Sequence, residues 1–82
     1  MNRDDFFKHI GNVNRYALLD RMRSDCEYWL GFGNRYNKFL WGKNPVDHIQ
    51  YMKWLWESFD EDQKPEWLTM EEIETYEKRM YY

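Results

Sequence analysis

The 82-residue chain has one cysteine, two prolines, four glycines and no apolar run near membrane-spanning length. A lone Cys26 excludes an intramolecular disulfide framework. The opening Met1-Asn2-Arg3-Asp4-Asp5 lacks the basic and then apolar order of a secretion signal, so a reducing, cytoplasmic setting without membrane partners is expected. Internal repeats, low-complexity tracts and Pro/Gly/Ser linkers are absent, which leaves one domain over residues 1–82. Aliphatic residues are scarce as well. Leu, Ile and Val together number 11 against 17 aromatics, so much of the core must come from Trp, Tyr, Phe and the five Met. In a chain this short, burial at about 25 cal/mol per Å² barely offsets roughly 1.5 kcal/mol of ordering entropy per residue.

Charge is present in quantity but unevenly placed. The net charge of −3 argues against nucleic-acid binding through overall charge, and leaves room for a local basic patch. Residues 3–43 carry eight Lys/Arg against five Asp/Glu, whereas residues 44–82 carry four against ten. Between Glu57 and Glu77 nine acidic residues face only Lys64, a stretch that reads as a solvated face or as an acidic contact surface.

Periodicity and capping signals place three main helices. Asn14 caps a segment to Leu30 in which Leu18, Leu19, Met22, Cys26, Trp29 and Leu30 share one arc. Asn44 and Pro45 start a helix to about Phe59, with Ile49, Met52, Leu55, Trp56 and Phe59 on one face and Asp47, Gln50, Lys53 and Glu57 opposite. Thr69-Met70-Glu71-Glu72 is a capping box, with Leu68 and Ile73 at the staple positions and an expected Glu74–Lys78 pair, and opens a helix over 70–80. Residues 3–10 can form a short N-terminal helix closed by Gly11. The stretch 31–43 reads as an aromatic-rich loop, in which Tyr36 to Trp41 permits a short strand. The expectation is an all-α, small three-helix domain with that fourth short helix and the loop packed across it.

Catalytic signals are weak. Cys26 sits within the apolar arc, where a nucleophile would be neither exposed nor activated. His9 and His48 lack the short spacings of zinc ligands and read as surface histidines, so no metal and no cofactor is expected. Asp20, Asp25 and Glu27 form no recognisable acid/base pair, and the expectation is a non-enzyme. Gly31-Phe32-Gly33-Asn34-Arg35 lacks the remainder of a phosphate-binding loop and reads as helix termination.

Two features point to binding. Arg15, Arg21, Arg23, Arg35, Lys38 and Lys43 are interleaved with Tyr16, Tyr28, Tyr36 and Trp41, a combination able to hold phosphates and stack on bases. The plainer account has the aromatics in the core and the arginines paired with Asp20, Asp25 and Glu27. Trp54 falls on a polar arc, where it either packs under another segment, the 31–43 loop being the one in need of cover, or is offered to a partner.

An ordered series of strings resembles a known family. Asn14-Arg15-Tyr16-Ala17-Leu18-Leu19 is followed by Asp25-Cys26-Glu27-Tyr28-Trp29-Leu30-Gly31, by Gly33-Asn34-Arg35 and by Leu40-Trp41. Met52-Lys53-Trp54-Leu55-Trp56 and Lys64-Pro65-Glu66-Trp67-Leu68-Thr69 complete it. Together these resemble a large polyvalent protein-associated domain, the eleventh of that series, over about Asn14 to Met80. The resemblance implies a module of phage and conjugative-element proteins, often set within much larger chains, with no catalytic residues to transfer. Here the module would stand almost alone, as a remnant, a regulator or a small counter-defence factor. Its polar parts, Asp25, Gly31, Gly33, Asn34 and Arg35, are with Trp54 the candidate contacts of a module that binds an unidentified protein. The alternative is nucleic-acid binding through Arg15, Arg21, Arg35, Lys38 and Lys43.

Overall fold

The computed structural model describes residues 1–32 and 34–81. Its helices are α1 (Arg3–Ile10), α2 (Arg15–Gly31), α3 (Pro45–Glu57) and α4 (Met70–Met80), with single 3-10 turns at Asn37–Phe39 and Glu61–Gln63. Each helix starts where a side chain accepts an otherwise orphaned backbone N–H. Asn2 takes that of Asp5, Asn14 that of Ala17, Asn44 that of Asp47, and Thr69 that of Glu72 in a complete capping box. Caps of this kind contribute about 1 kcal/mol each. Gly11 ends α1 at φ 58°, ψ −124°, a conformation open chiefly to glycine. α3 stops two residues before Phe59, because the Ser58 hydroxyl donates to the Leu55 carbonyl at 2.6 Å and the Lys64 ammonium donates to that of Phe59 at 2.7 Å.

α3 is the central element and packs against α4, α2 and α1. The core between α2, α3 and α4 is built from the expected stripes: Leu19, Met22 and Cys26 meet Ile49, Met52 and Leu55, and Ile73, Tyr76 and Met80 close the other side. Leu68, the residue before the capping box, is fully buried with Ile73. Polar ties run between the same helices. Lys53 donates to both carboxylate oxygens of Glu77 at 3.1 and 3.0 Å, Tyr76 donates to Glu27, and the Trp56 indole donates to the Leu68 carbonyl at 2.8 Å. Glu27 is thus taken by a tyrosine, while Arg23 pairs with Asp20 at 2.6 Å and Arg21 with Asp25 at 3.9 Å. The expected Glu74–Lys78 pair is not among the ion pairs of the described residues.

α1 is attached by aromatic side chains. Phe6 is fully buried, stacked on Tyr51 at 4.7 Å, edge-on to Trp41 at 6.0 Å and tilted against Trp54 at 5.7 Å. Such pairs add about 0.5–1.5 kcal/mol beyond their buried area. Trp54 therefore packs beneath α1.

The loop after α2 holds no strand among its described residues. A strand needs a partner edge and none is offered. Residues 37–39 form a 3-10 turn, followed by a tight turn in which the Lys43 N–H donates to the Leu40 carbonyl at 3.0 Å. Side chains of α2 and α3 hold this loop in place. The Asp25 carboxylate accepts the Trp41 N–H at 3.0 Å, and the Trp29 indole donates to Asn37 at 3.3 Å. The expectation of a surface His48 is overturned here. His48 is 0% exposed; its Nδ1 accepts the Gly42 N–H at 3.0 Å and its Nε2 lies 2.9 Å from the Met22 carbonyl. Both nitrogens are satisfied only by the neutral ring with its proton on Nε2, donating to Met22.

Gly42 lies so close to α3 that a Cβ there would stand 2.5 Å from the His48 Cα and 2.7 Å from its N. Backbone atoms cannot step aside, so Gly42→Ala is expected to destabilise the fold by about 1–3 kcal/mol. Gly31→Ala, at a helical position with open space around it, is expected to be neutral or to stabilise by up to about 1 kcal/mol. Urea unfolding of the two variants beside the parent chain checks both signs.

Candidate functional site

Two adjoining surface features gather around the 31–43 loop. The first is a cavity of about 320 Å³ between α1, α2, α3 and the tight turn. Arg21, Lys38 and Lys43 line it together with His9, Trp41 and Tyr51, and no Asp or Glu among the described residues does. Each side chain has a local reason to be there. Arg21 lies one helical turn before Asp25, which accepts the Trp41 N–H and so sets the indole beside it. His9 approaches Trp41 from the last turn of α1, with ring centroids 6.1 Å apart. Lys43 occupies the end of the tight turn at φ 74°, a left-handed conformation that costs a non-glycine residue roughly 1–2 kcal/mol.

The second feature is a set of exposed aromatic rings. Tyr28 in the last turn of α2, Phe32 at its cap, and Tyr36 and Phe39 around the 3-10 turn are 45, 81, 56 and 37% exposed. They touch in series: Tyr28 to Phe32 at 6.3 Å, Tyr28 to Phe39 at 5.1 Å and Tyr36 to Phe39 at 6.3 Å. The Lys38 ammonium lies 5.7 and 5.4 Å from the Tyr36 and Phe39 ring centres, so Lys38 belongs to both features.

Of the candidates singled out in the sequence, Arg21, Lys38 and Lys43 meet in the cavity. Arg15 lies 4.5 Å over the Phe7 ring, and Arg35 lies 5.0 Å over that of Trp29 with a hydrogen bond to the Arg79 carbonyl. Asp25 is occupied by Trp41 and Arg21. Asn34 and Arg35 take left-handed conformations on the exposed loop, Gly31 ends α2 in open space, and Gly33 lies outside the described residues. Trp54 is half-buried under α1. Tyr16 stacks on Phe59 at 4.2 Å, and Arg23 lies over Trp67 at 5.2 Å.

Sequence reasoning missed His48, Phe32 and Phe39. His48 carried a signal, since it stands four residues before Met52 and seven before Leu55 on the same stripe. The two phenylalanines carried none, because neither has a periodic pattern to place it.

Burial favours the neutral form of the Cys26 thiol and the Tyr76 phenol. Burial, with the neighbouring Asp25 and Glu27 carboxylates, pushes the Cys26 thiol up to about 12, so it stays protonated beside the Met52 sulfur at 3.6 Å. Burial, reinforced by Glu27, raises the Tyr76 phenol as well. Among the described residues no group of three or more His, Cys, Asp or Glu side chains is placed to hold a metal, and no helix is long and apolar enough to cross a membrane.

The chain matches the model of the large polyvalent protein-associated domain 11 family over residues 12–80 and belongs to that family. No curated protein and no solved structure gave a significant match. α1, with Phe6 and His9, precedes the matched region, so the cavity is closed in part by a segment outside it.

Burial holds the His48 imidazole below its ordinary value of 6.5, against smaller opposing effects of the Met22 carbonyl and Asp25; Arg21 adds to the lowering. With the folded value below the unfolded one, the unfolded chain binds the extra proton as pH falls through 6.5, so stability declines there until the folded value is passed. Thermal unfolding across about pH 8 to 5 should show this decline in the parent and in His9→Gln, and lose it in His48→Gln. A parent profile flat over that interval would refute the assignment.

Proposed function

We propose that the chain is a non-enzymatic, cytoplasmic interaction module of a mobile genetic element, which docks a partner protein through the aromatic end of α2 and its loop. The contiguous exposed series Tyr28, Phe32, Tyr36 and Phe39 carries this reading. Patches of touching, water-exposed aromatics are uncommon on isolated domains and favour macromolecular contact. Membership of a family associated with large polyvalent proteins supports the mobile-element setting. Such docking suits a regulator or a counter-defence factor of a phage or conjugative element.

The partner segment carries apolar side chains flanked by carboxylates. Lys38 lies against two of the rings and joins no ion pair among the described residues, so a carboxylate beside an inserted apolar group would meet it. The acidic 57–77 stretch is a weaker contact surface, because Glu77 is held by Lys53, Glu61 pairs with Lys64 at 3.4 Å, and Glu72 completes the capping box.

Selection from a displayed random-peptide library against the folded chain tests the proposal. Enriched peptides should combine aromatic or aliphatic residues with Asp or Glu. The double variant Phe32→Ser, Tyr36→Ser should bind them at least about tenfold more weakly, a loss of about 1.4 kcal/mol, with its helical circular dichroism unchanged. Peptides that bind parent and variant alike, or a library that yields none, would remove this surface from consideration.

A further inference from the structure

The cavity beside Trp41 has no part in the docking proposed above except through Lys38. Its composition departs from that of the chain. The sequence carries 15 Asp and Glu against 12 Lys and Arg, yet three of those cations and none of the carboxylates line this one concavity. Lys38 and Lys43 join no ion pair among the described residues, and Arg21 is held only at 3.9 Å by Asp25. With Asp25 the one carboxylate among the described residues paired to any of the three, and that at 3.9 Å, the cations repel one another and an anion relieves that repulsion. A second observation concerns the backbone. Lys43 holds a φ of 74° where glycine would be free of strain, so the chain keeps a lysine at the rim against its own stability.

Shape and chemistry narrow the anion. About 320 Å³ lies at the lower end of small-molecule sites, roughly 300–1,000 Å³. The same lining includes the rings of Trp41, Tyr51 and His9. The ring neighbours of Trp41, which are His9, Phe6 and Tyr51, meet it at 65, 89 and 84°, so none stacks parallel on the indole. A planar ring joined to a phosphate suits both kinds of lining, the ring against Trp41 and the phosphate among Arg21, Lys38 and Lys43. We infer that this cavity is a binding site for a nucleoside monophosphate unit, supplied either as a free nucleotide or as the 5′-phosphorylated end of a single strand.

The test uses the whole chain, isotope-labelled, titrated with adenosine 5′-monophosphate, adenosine and inorganic phosphate at low salt. Amide shifts should cluster at His9, Lys38 to Lys43 and Tyr51. The nucleotide should bind at least about tenfold tighter than the nucleoside, and added salt should weaken it. Oligonucleotides of one sequence with a 5′-phosphate or a 5′-hydroxyl distinguish the two sources: preference for the phosphorylated end assigns a strand terminus, and binding of the free nucleotide alone assigns a small molecule. Equal binding of both oligonucleotides with no response to the nucleotide overturns the site in favour of a surface that follows internal phosphates.

Arg21→Gln and Lys43→Gly are the informative variants, because Lys38 also serves the aromatic patch. Lys43→Gly should raise the melting temperature and weaken nucleotide binding at least about tenfold, a pairing that a purely structural lysine would not produce. Unchanged binding in Lys43→Gly, or absence of binding by every probe, refutes the inference and leaves the peptide-docking result untouched.

Discussion

A neutral imidazole sealed between two helices and a turn sets the geometry on which the rest depends. His48 reaches from α3 to the Met22 carbonyl of α2 on one side and receives the Gly42 N–H on the other. The carbonyl of Met22 already lies within a helix, so the imidazole uses its second lone pair and fixes the separation of α2 from α3. Because Gly42 has no side chain, the turn lies directly on the α3 backbone, and the connection after α2 becomes part of the core boundary. Leaving either ring nitrogen unpaired here would cost about 1–3 kcal/mol, a large share of what so small a domain can spare.

The same joint arranges both surface features. With Gly42 seated on α3 and Trp41 hydrogen-bonded to Asp25, the preceding turn carries Phe39 outward beside Tyr28, while the following Lys43 is turned back over the cavity. Two groups of aromatic residues take opposite roles. Phe6, Tyr51, Trp41 and Trp54 clamp α1 to the bundle, compensating for the scarcity of aliphatic side chains. Tyr28, Phe32, Tyr36 and Phe39 remain in water at one end.

Charge follows a related division. The acidic second half is partly consumed by internal ties: Glu77 with Lys53, Glu61 with Lys64, and Glu72 with the Thr69 cap. The basic first half leaves Lys38, Lys43 and much of Arg21 uncommitted around one concavity. A chain with net negative charge therefore gathers cationic side chains around one concavity, which average composition alone would argue against.

Helix positions were legible in the sequence because their causes are local. Asn14, Asn44 and Thr69 cap with their own side chains, Pro45 is preorganised for a first turn, and the stripes through α2, α3 and α4 repeat at helical spacing. The burial of Cys26 and the closing of α1 by Gly11 follow from the same short-range rules. Tertiary structure alone decided the fate of His48, whose burial requires two partners distant in sequence, Met22 on another helix and the backbone of a glycine brought in by a loop. It also decided which basic residues meet. Arg21 and Lys43 are far apart in the chain and become neighbours only when the turn folds back over α2, an outcome set by packing and long-range hydrogen bonds and absent from any local pattern.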